Sequence, residues 1–97
     1  MITDLNGFWE RQHDKRVFEI KETETEYFSV VEKDTNKQYD FHLSLGSPLG
    51  NDGHLTSKDP SWDSKRIHGM DEDTFYITHQ FSNEPWIFKR KHYEEAN

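Results

Sequence analysis

Apolar and polar residues alternate along most of this chain, and that two-residue period restricts its fold more than any other feature. In the clearest segment, 39–45, tyrosine, phenylalanine and leucine alternate with aspartate, histidine and serine. This pattern predicts a β-strand with one buried face. Similar alternation occurs around 17–21, 75–81 and 86–90, and no segment convincingly shows the period of an amphipathic helix. We therefore predict an all-β protein.

Composition indicates one small folded domain spanning 1–97. A chain of 97 residues is long enough for a single core. Only 31% of its residues are hydrophobic, but it contains three Trp, four Tyr and seven Phe. Disordered chains are poor in aromatic residues, which bury large areas when they pack. We expect a core built mainly from aromatic rings.

The two ends of the chain contain complementary residues. Gly7 and Trp9 lie near the start, and near the finish Trp86, Phe88 and Arg90 share one face of an alternating segment. A tryptophan in the first strand and an arginine in the last strand suggest that these two strands lie side by side. We predict a single small antiparallel meander barrel of about eight short strands, with a flattened sandwich as the alternative arrangement.

Two hairpins can be placed in register from the sequence. A turn centred on Thr35 pairs the strand that begins at Tyr27 with the strand that begins near Tyr39. A loop over 82–85 pairs the last two strands and turns Arg90 toward the interior. The partners expected from these turns are Val31 with Tyr39, Ser29 with Phe41, Tyr27 with Leu43, Phe81 with Trp86, His79 with Phe88, and Ile77 with Arg90.

These residues resemble a known family. Gly7-Phe8-Trp9 resembles the G-x-W motif that opens lipocalins and related calycin barrels. Arg90 resembles the arginine that packs across that tryptophan from the far end of the chain. The stretches 62–75 and 86–90 look like the closing half of small bacterial lipocalin-like domains. The resemblance implies a ligand-binding barrel in which Gly7, Trp9 and Arg90 form a structural lock.

Five residues are candidates for ligand binding inside such a barrel. Arg90 and His79 would supply polar anchors, and Tyr27 and Tyr39 would supply phenol groups. Phe41 would form part of an apolar wall. Together they fit the acid head and body of a small hydrophobic or aromatic molecule. The same residues also fit an internal network that fills the barrel.

Two other functions remain open. A filled barrel would act through its surface as a protein-interaction or regulatory module. Its partner would contact the long Gly46–Gly53 loop and the outward aromatic residues Phe28 and Tyr76. The other open function is that of a small lyase. Arg66–Met70 resembles a segment of phenolic acid decarboxylases, which are also lipocalin-like. No recognisable catalytic motif accompanies that segment, so we assign no catalytic residues and favour binding over enzymatic activity.

Charge and residue content argue against nucleic-acid-binding, metal-binding, secreted and membrane proteins. A net charge of −7 repels polyanions, so we expect no nucleic-acid partner. The chain has no cysteine, and its six histidines lack spacings such as His-x-His that place metal ligands together. We expect no metal and no cofactor. No signal peptide or membrane span is recognisable, so we expect a cytoplasmic protein.

Overall fold

The computed structural model describes residues 5–45, 52–79 and 84–92 and shows eight antiparallel β-strands. Within these ranges there is no helix. The strands follow one another around the sheet in the order of the chain. They are β1 (Gly7–Arg11), β2 (Val17–Glu24), β3 (Tyr27–Glu32), β4 (Lys37–Leu45), β5 (Asp52–Thr56), β6 (Lys65–Asp71), β7 (Thr74–His79) and β8 (Trp86–Lys91).

The sheet closes into a barrel because β1 pairs with both β2 and β8. At the closing seam, Trp9 lies opposite Arg90 and Arg11 lies opposite Phe88. Closure pairs the two strand edges that an open sheet would leave free. The predicted all-β meander barrel of eight strands is confirmed, and the flattened sandwich is not what forms.

The interior contains one hydrophobic cluster dominated by aromatic rings, as the composition predicted. Alternate residues of the strands point into it, and polar partners on the same strands point out. Trp62 joins the cluster from the β5–β6 connection and is almost completely buried. The buried apolar residues are Leu5, Trp9, Phe18, Ile20, Phe28, Val30, Tyr39, Phe41, Leu55, Trp62, Ile67, Phe75, Ile77 and Phe88.

The β3–β4 hairpin differs from the predicted register by one residue. Phe28 lies opposite Phe41, and Val30 lies opposite Tyr39. A shift of one residue exchanges the two faces of a strand. The exposed fraction is therefore 7% for Phe28 and 50% for Tyr27. The predictions of an inward Tyr27 and an outward Phe28 were both wrong.

The reason for this shift is the turn that joins β3 to β4. The connection contains four residues, because Glu32 pairs with Lys37. Asn36 takes a left-handed conformation with φ of 61°, and its N–H donates to the Glu32 carbonyl at 2.7 Å. Asparagine tolerates this conformation better than most residues. The sequence-based register assumed a shorter turn, and turn length sets hairpin register.

The β7–β8 hairpin also differs in register, but its faces are as predicted. Phe75 lies opposite Phe88 and Ile77 lies opposite Trp86, a shift of four residues from the expected pairing. An even shift leaves every side chain on its original face. Arg90 consequently keeps its inward direction but does not lie opposite Ile77. The expected partner Phe81 lies outside the described residues.

The predicted Gly46–Gly53 loop ends earlier than expected, because β5 begins at Asp52. Residues 46–51 lie outside the described part of the chain. Gly53 pairs with Leu45 on one side and Ile67 on the other. A Cβ atom at Gly53 would stand 2.4 Å from Leu43 Cδ1. Close strand packing therefore accounts for this glycine, rather than turn formation.

Candidate ligand-binding site at the upper end of the barrel

The five residues predicted to bind a ligand do not form one group. We call the end where β1, β3, β5 and β7 finish the upper end, and the opposite end the lower end. His79 and Tyr39 lie toward the upper end, and Phe41 lies inside the barrel. Arg90 is at the lower end, where β8 finishes. Tyr27 is outside, so three of the five share the upper half of the interior.

Trp62 connects these three residues. Its ring is stacked on Phe41 with centroids 5.9 Å apart, and it lies 5.8 Å from the Tyr39 ring. It also makes an edge contact with Trp86 at 5.6 Å. His79 in turn contacts Trp86. The upper interior is therefore occupied by an aromatic cluster that reaches from the barrel wall to its end.

Trp86 is the point where this aromatic cluster meets positive charge. The Arg11 guanidinium carbon lies 4.6 Å from its ring centroid, and Lys65 Nζ lies 5.8 Å away. The His79 ring packs edge-on at 4.5 Å. Cations are attracted to the electron-rich face of an indole ring. The half-buried Trp86 ring thus contacts two cations and an imidazole, although the net charge of the chain is −7.

Arg11 is held in place by an acidic residue of the following turn. Its Nε and Nη2 donate to the two carboxylate oxygens of Asp14 at 3.1 and 2.7 Å. This hydrogen bonding lowers the pKa of the Asp14 carboxyl below its ordinary value, although partial burial opposes the effect. The exposed fraction of the two side chains is 13% for Arg11 and 26% for Asp14. The guanidinium therefore donates two hydrogen bonds to one carboxylate in a bidentate arrangement.

His79 experiences the same positive environment. Burial lowers the pKa of its imidazole below the ordinary value, and the charges of Lys65, Arg11 and His13 lower it further. His79 is therefore mainly neutral near pH 7 and can accept or donate one hydrogen bond. The upper end offers an anion two permanent cations and a neutral imidazole beside an aromatic surface.

Arg90 at the lower end has different partners. Its guanidinium carbon lies 4.2 Å from the Trp9 ring centroid. Nη1 donates to the Asn6 carbonyl at 2.9 Å, and Nη2 donates to the Glu72 carbonyl at 3.1 Å. The Asp73 carboxylate lies 3.2 Å from Nε. Backbone groups from two separate segments therefore surround Arg90.

The backbone conformation of Gly7 explains why a glycine stands two positions before Trp9 in the Gly-x-Trp motif. Its φ is 131°, a conformation that side chains strongly disfavour. A Cβ atom at this position would stand 3.0 Å from Nη1 of Arg90. Glycine thus allows the strand to enter the seam beside the guanidinium that covers Trp9.

Tyr27 lines a groove along β3–β5 together with Phe28 and Phe41, so two of the five predicted ligand-binding residues share this groove. Its ring packs on His42 at 4.6 Å, and His42 Nε2 lies 3.4 Å from a Glu26 carboxylate oxygen. The groove has a volume of about 530 Å³. Asp40, Thr56, Ser57 and Lys58 are among its other lining residues.

The sequence-based prediction missed the residues that make the upper end distinctive. Arg11 follows Trp9 by two positions, so the alternation that placed Arg90 inward also places Arg11 inward. That signal was present in the sequence. Lys65 precedes the buried Ile67 by two positions in β6, so the same alternation also places Lys65 inward. The position of Trp62 had no such signal, because it depends on how the β5–β6 connection folds over the barrel end.

The described histidines are distributed around the barrel rather than grouped. His42, His54 and His68 are on outward positions of different strands, and His79 is at the upper end. Among residues 5–45, 52–79 and 84–92, no three histidine, aspartate or glutamate side chains are placed to hold one metal ion.

Comparison with protein families, curated proteins and solved structures finds no significant match to this chain. Within the described ranges, no helix has the length and apolar character needed to cross a membrane.

Proposed function

We propose that this barrel is a lipocalin-like binding module for a small aromatic or hydrophobic molecule with an acidic group. The observation that supports this most directly is the convergence of Arg11, Lys65 and His79 on Trp86. Such a site combines a flat apolar surface with charge of one sign. The ligand's ring would pack against Trp86, and its acidic group would pair with Arg11.

The closed meander barrel supports the lipocalin-like part of the proposal. So does the position of the Gly-x-Trp motif in β1 beside an arginine of β8. Trp62 occupies the upper interior, so the ligand binds at the barrel end and not deep inside. In this proposal Arg11 binds the acidic group, which the sequence had assigned to Arg90. His79 keeps the ligand-binding role predicted from the sequence.

Asp14 occupies the position on Arg11 that the ligand's carboxylate would take. Its two oxygens already form the bidentate arrangement that guanidinium groups favour. Binding would exchange this internal carboxylate for the external one. Asp14 also lies 3.4 Å from Arg16 Nε and 3.7 Å from His13 Nε2, so it keeps cationic neighbours after the exchange.

A second candidate function is recognition of another protein through the outer surface. The exposed Tyr27, which packs against His42 and lines a groove, favours this alternative. The proposed lyase receives no comparable support. Arg66 and His68 of the resembling segment occupy outward positions of β6, and His68 is stacked on Tyr76 at 4.7 Å.

Calorimetric titration with naphthalene-2-carboxylate tests the binding proposal. We expect saturable binding of the acid and little binding of naphthalene-2-carboxamide, which has the same ring without the charge. Arg11→Gln should weaken binding by roughly tenfold, because one charge-assisted pair is lost. Asp14→Asn should strengthen binding, because the competing carboxylate is removed.

The matched control is Lys15→Gln, which removes one positive charge from an exposed residue of the same turn. It should change the affinity less than about twofold, because exposed charges are screened. Equal losses in Lys15→Gln and Arg11→Gln would indicate a general charge effect and overturn the proposed site. Absence of saturable binding by the acid would overturn it as well.

A further inference from the structure

A pocket on the outer face of β5–β7 contains a second group of basic and hydroxyl side chains, which shares His79 with the Trp86 cluster. It has a volume of about 430 Å³. Its lining residues are His54, Ser64, Arg66, Thr78 and His79. The first four lie outside the interior, whereas His79 also contacts Trp86 at the barrel end.

The strand register places three of these residues in one row. His54 of β5 lies opposite Arg66 of β6, and Arg66 lies opposite Thr78 of β7. Directly opposed residues on one face of an antiparallel sheet have Cβ atoms about 5 Å apart. An imidazole, a guanidinium and a hydroxyl are therefore presented side by side, and Ser64 adds a hydroxyl just before β6 begins.

Arg66 is the central residue of the row and is available to a ligand. Its side chain is exposed and forms no ion pair or hydrogen bond with any residue, as far as the described chain is concerned. The other three arginines all have carboxylate partners: Arg11 pairs with Asp14, Arg16 with Glu32, and Arg90 with Asp73. Arg66 is thus an unpaired guanidinium on a protein with an excess of acidic residues.

The remaining polar groups around the row have internal partners. Thr78 Oγ1 lies 3.2 Å from His68 Nε2, which orients the hydroxyl. Asp63 is the acidic residue closest in sequence to the pocket, and its carboxylate accepts hydrogen bonds from the Ser57 N–H at 2.9 Å and from Ser64 Oγ at 3.4 Å. Among the residues that the structure describes, no carboxylate lines the pocket.

We propose that this outer pocket binds the phosphate group of a small phosphorylated molecule. A planar guanidinium pairs with two phosphate oxygens, and hydroxyl and imidazole groups supply further hydrogen bonds. The pocket volume of about 430 Å³ leaves room for the part of the molecule that the phosphate is attached to. Because the net charge of −7 repels anions, we expect roughly millimolar affinity.

Nuclear magnetic resonance of the histidine side chains tests this site. Phenyl phosphate and inorganic phosphate would each be titrated at about pH 6.5, near the ordinary histidine pKa, with sodium chloride holding the ionic strength constant. We expect saturable shifts of the His54 resonances, tighter binding of phenyl phosphate, and an unchanged affinity in Arg11→Gln. The Arg11→Gln variant separates this pocket from the Trp86 cluster, because phenyl phosphate also has the ring and acidic group proposed to bind there. Equal affinity for the two probes would overturn the assignment to a phosphorylated molecule, since free phosphate would then satisfy the site.

Arg66→Gln should weaken phenyl phosphate binding by roughly tenfold, because the central charge-assisted pair is lost. Lys89→Gln is the matched control, because it removes the same charge from an exposed residue opposite Thr74, near the lower end. It should change affinity less than about twofold. Equal effects of the two variants, or no saturable shift in the unchanged protein, would overturn the proposal.

Thr78→Val provides an independent variant within the row. It removes the hydroxyl at nearly constant volume, so we expect about a threefold loss of phenyl phosphate affinity from one hydrogen bond donated by an uncharged group. Melting temperatures would be compared for all variants. Unchanged affinity in Thr78→Val together with unchanged affinity in Arg66→Gln would exclude this pocket as the binding site.

Discussion

The two ends of the β1–β8 seam each contain a tryptophan covered by an arginine, and the strands contribute these residues reciprocally. At the lower end β1 supplies Trp9 and β8 supplies Arg90, with 4.2 Å between guanidinium carbon and ring centroid. At the upper end β1 supplies Arg11 and β8 supplies Trp86, at 4.6 Å. The two contacts have similar geometry, but their surroundings differ.

At the lower contact the indole is enclosed and the arginine is bonded mainly to the backbone, with the Asp73 carboxylate beside it. Trp9 is fully buried, its Nε1 donates to the Leu5 carbonyl at 2.8 Å, and Arg90 donates to carbonyls of Asn6 and Glu72. The upper contact is half-buried, and its arginine is held by a carboxylate side chain. Backbone carbonyls cannot be exchanged without local unfolding, whereas a side-chain carboxylate can be displaced. We infer that the lower pair stabilises the seam and the upper pair binds ligand.

Replacing each tryptophan gives the largest difference between the two ends. Trp9→Ala removes a fully buried indole and should lower the free energy of unfolding by about 3–5 kcal/mol. Trp86→Ala should cost about 1–3 kcal/mol, because this ring is only half-buried. Urea denaturation followed by circular dichroism measures both. Equal losses would contradict the assignment of the lower end as the structural one.

Replacing each arginine separates stability from binding. Arg90→Gln should lower the free energy of unfolding by about 2 kcal/mol, because carbonyls of two segments lose a charged donor. Arg11→Gln should cost about 1 kcal/mol or less, because its ion pair with Asp14 is partly exposed. Only Arg11→Gln should weaken binding of naphthalene-2-carboxylate. The opposite distribution of effects would reverse the roles of the two ends.

Gly7→Ala tests whether the lower contact depends on backbone conformation. Alanine at φ of 131° is strained, and its Cβ would approach Arg90 Nη1 at 3.0 Å. We expect a loss of about 1–2 kcal/mol in urea denaturation. The control is Gly69→Ala, at a strand glycine outside the left-handed region. If both substitutions have the same small effect, Gly7 has no special role at the seam.

The smallest expected effect is the pH dependence contributed by His79. Its pKa is lowered in the folded protein, so the unfolded chain binds more protons just below the ordinary value of 6.5. Stability from this group is complete above that value and decreases as the pH falls toward the folded pKa. Since His79 is only partly buried, the change should be well under 1 kcal/mol.

Nuclear magnetic resonance titration of His79 measures this pKa directly. We expect a value below that of a model histidine, because burial and then the charges of Lys65 and Arg11 disfavour protonation. Lys65→Gln should move the value upward, whereas Lys89→Gln at the lower end should leave it unchanged. A normal pKa in the unchanged protein would show that the upper end does not concentrate positive charge.

Two hairpins show how far the alternation of residues predicts this fold. At β7–β8 the register is four residues from the predicted one, yet Phe88 and Arg90 keep their faces because the shift is even. At β3–β4 a shift of one residue reversed Tyr27 and Phe28. The difference arises in the turn, where the left-handed Asn36 adds a residue that hydrophobic pattern alone does not reveal.

The candidate site was predictable in part for a related reason. Inward directions for Tyr39, Phe41 and His79 follow from strand alternation, and Arg11 could have been assigned by the same rule. Their grouping around Trp62 could not, because that residue enters the interior from a connection without periodicity. Which end of the barrel each strand residue occupies also depends on the register around the whole sheet.

By itself the sequence determined the all-β class and the aromatic core, and it left the closed barrel and the flattened sandwich as alternatives that the pairing of β1 with β8 decided. The class and the core follow from the two-residue period of side-chain direction and from the apolar area of the rings. Only the tertiary structure decided that Trp9–Arg90 and Trp86–Arg11 occupy opposite ends with different partners. Turn geometry and the path of the Trp62 segment set those positions, and both depend on contacts between residues distant in the chain.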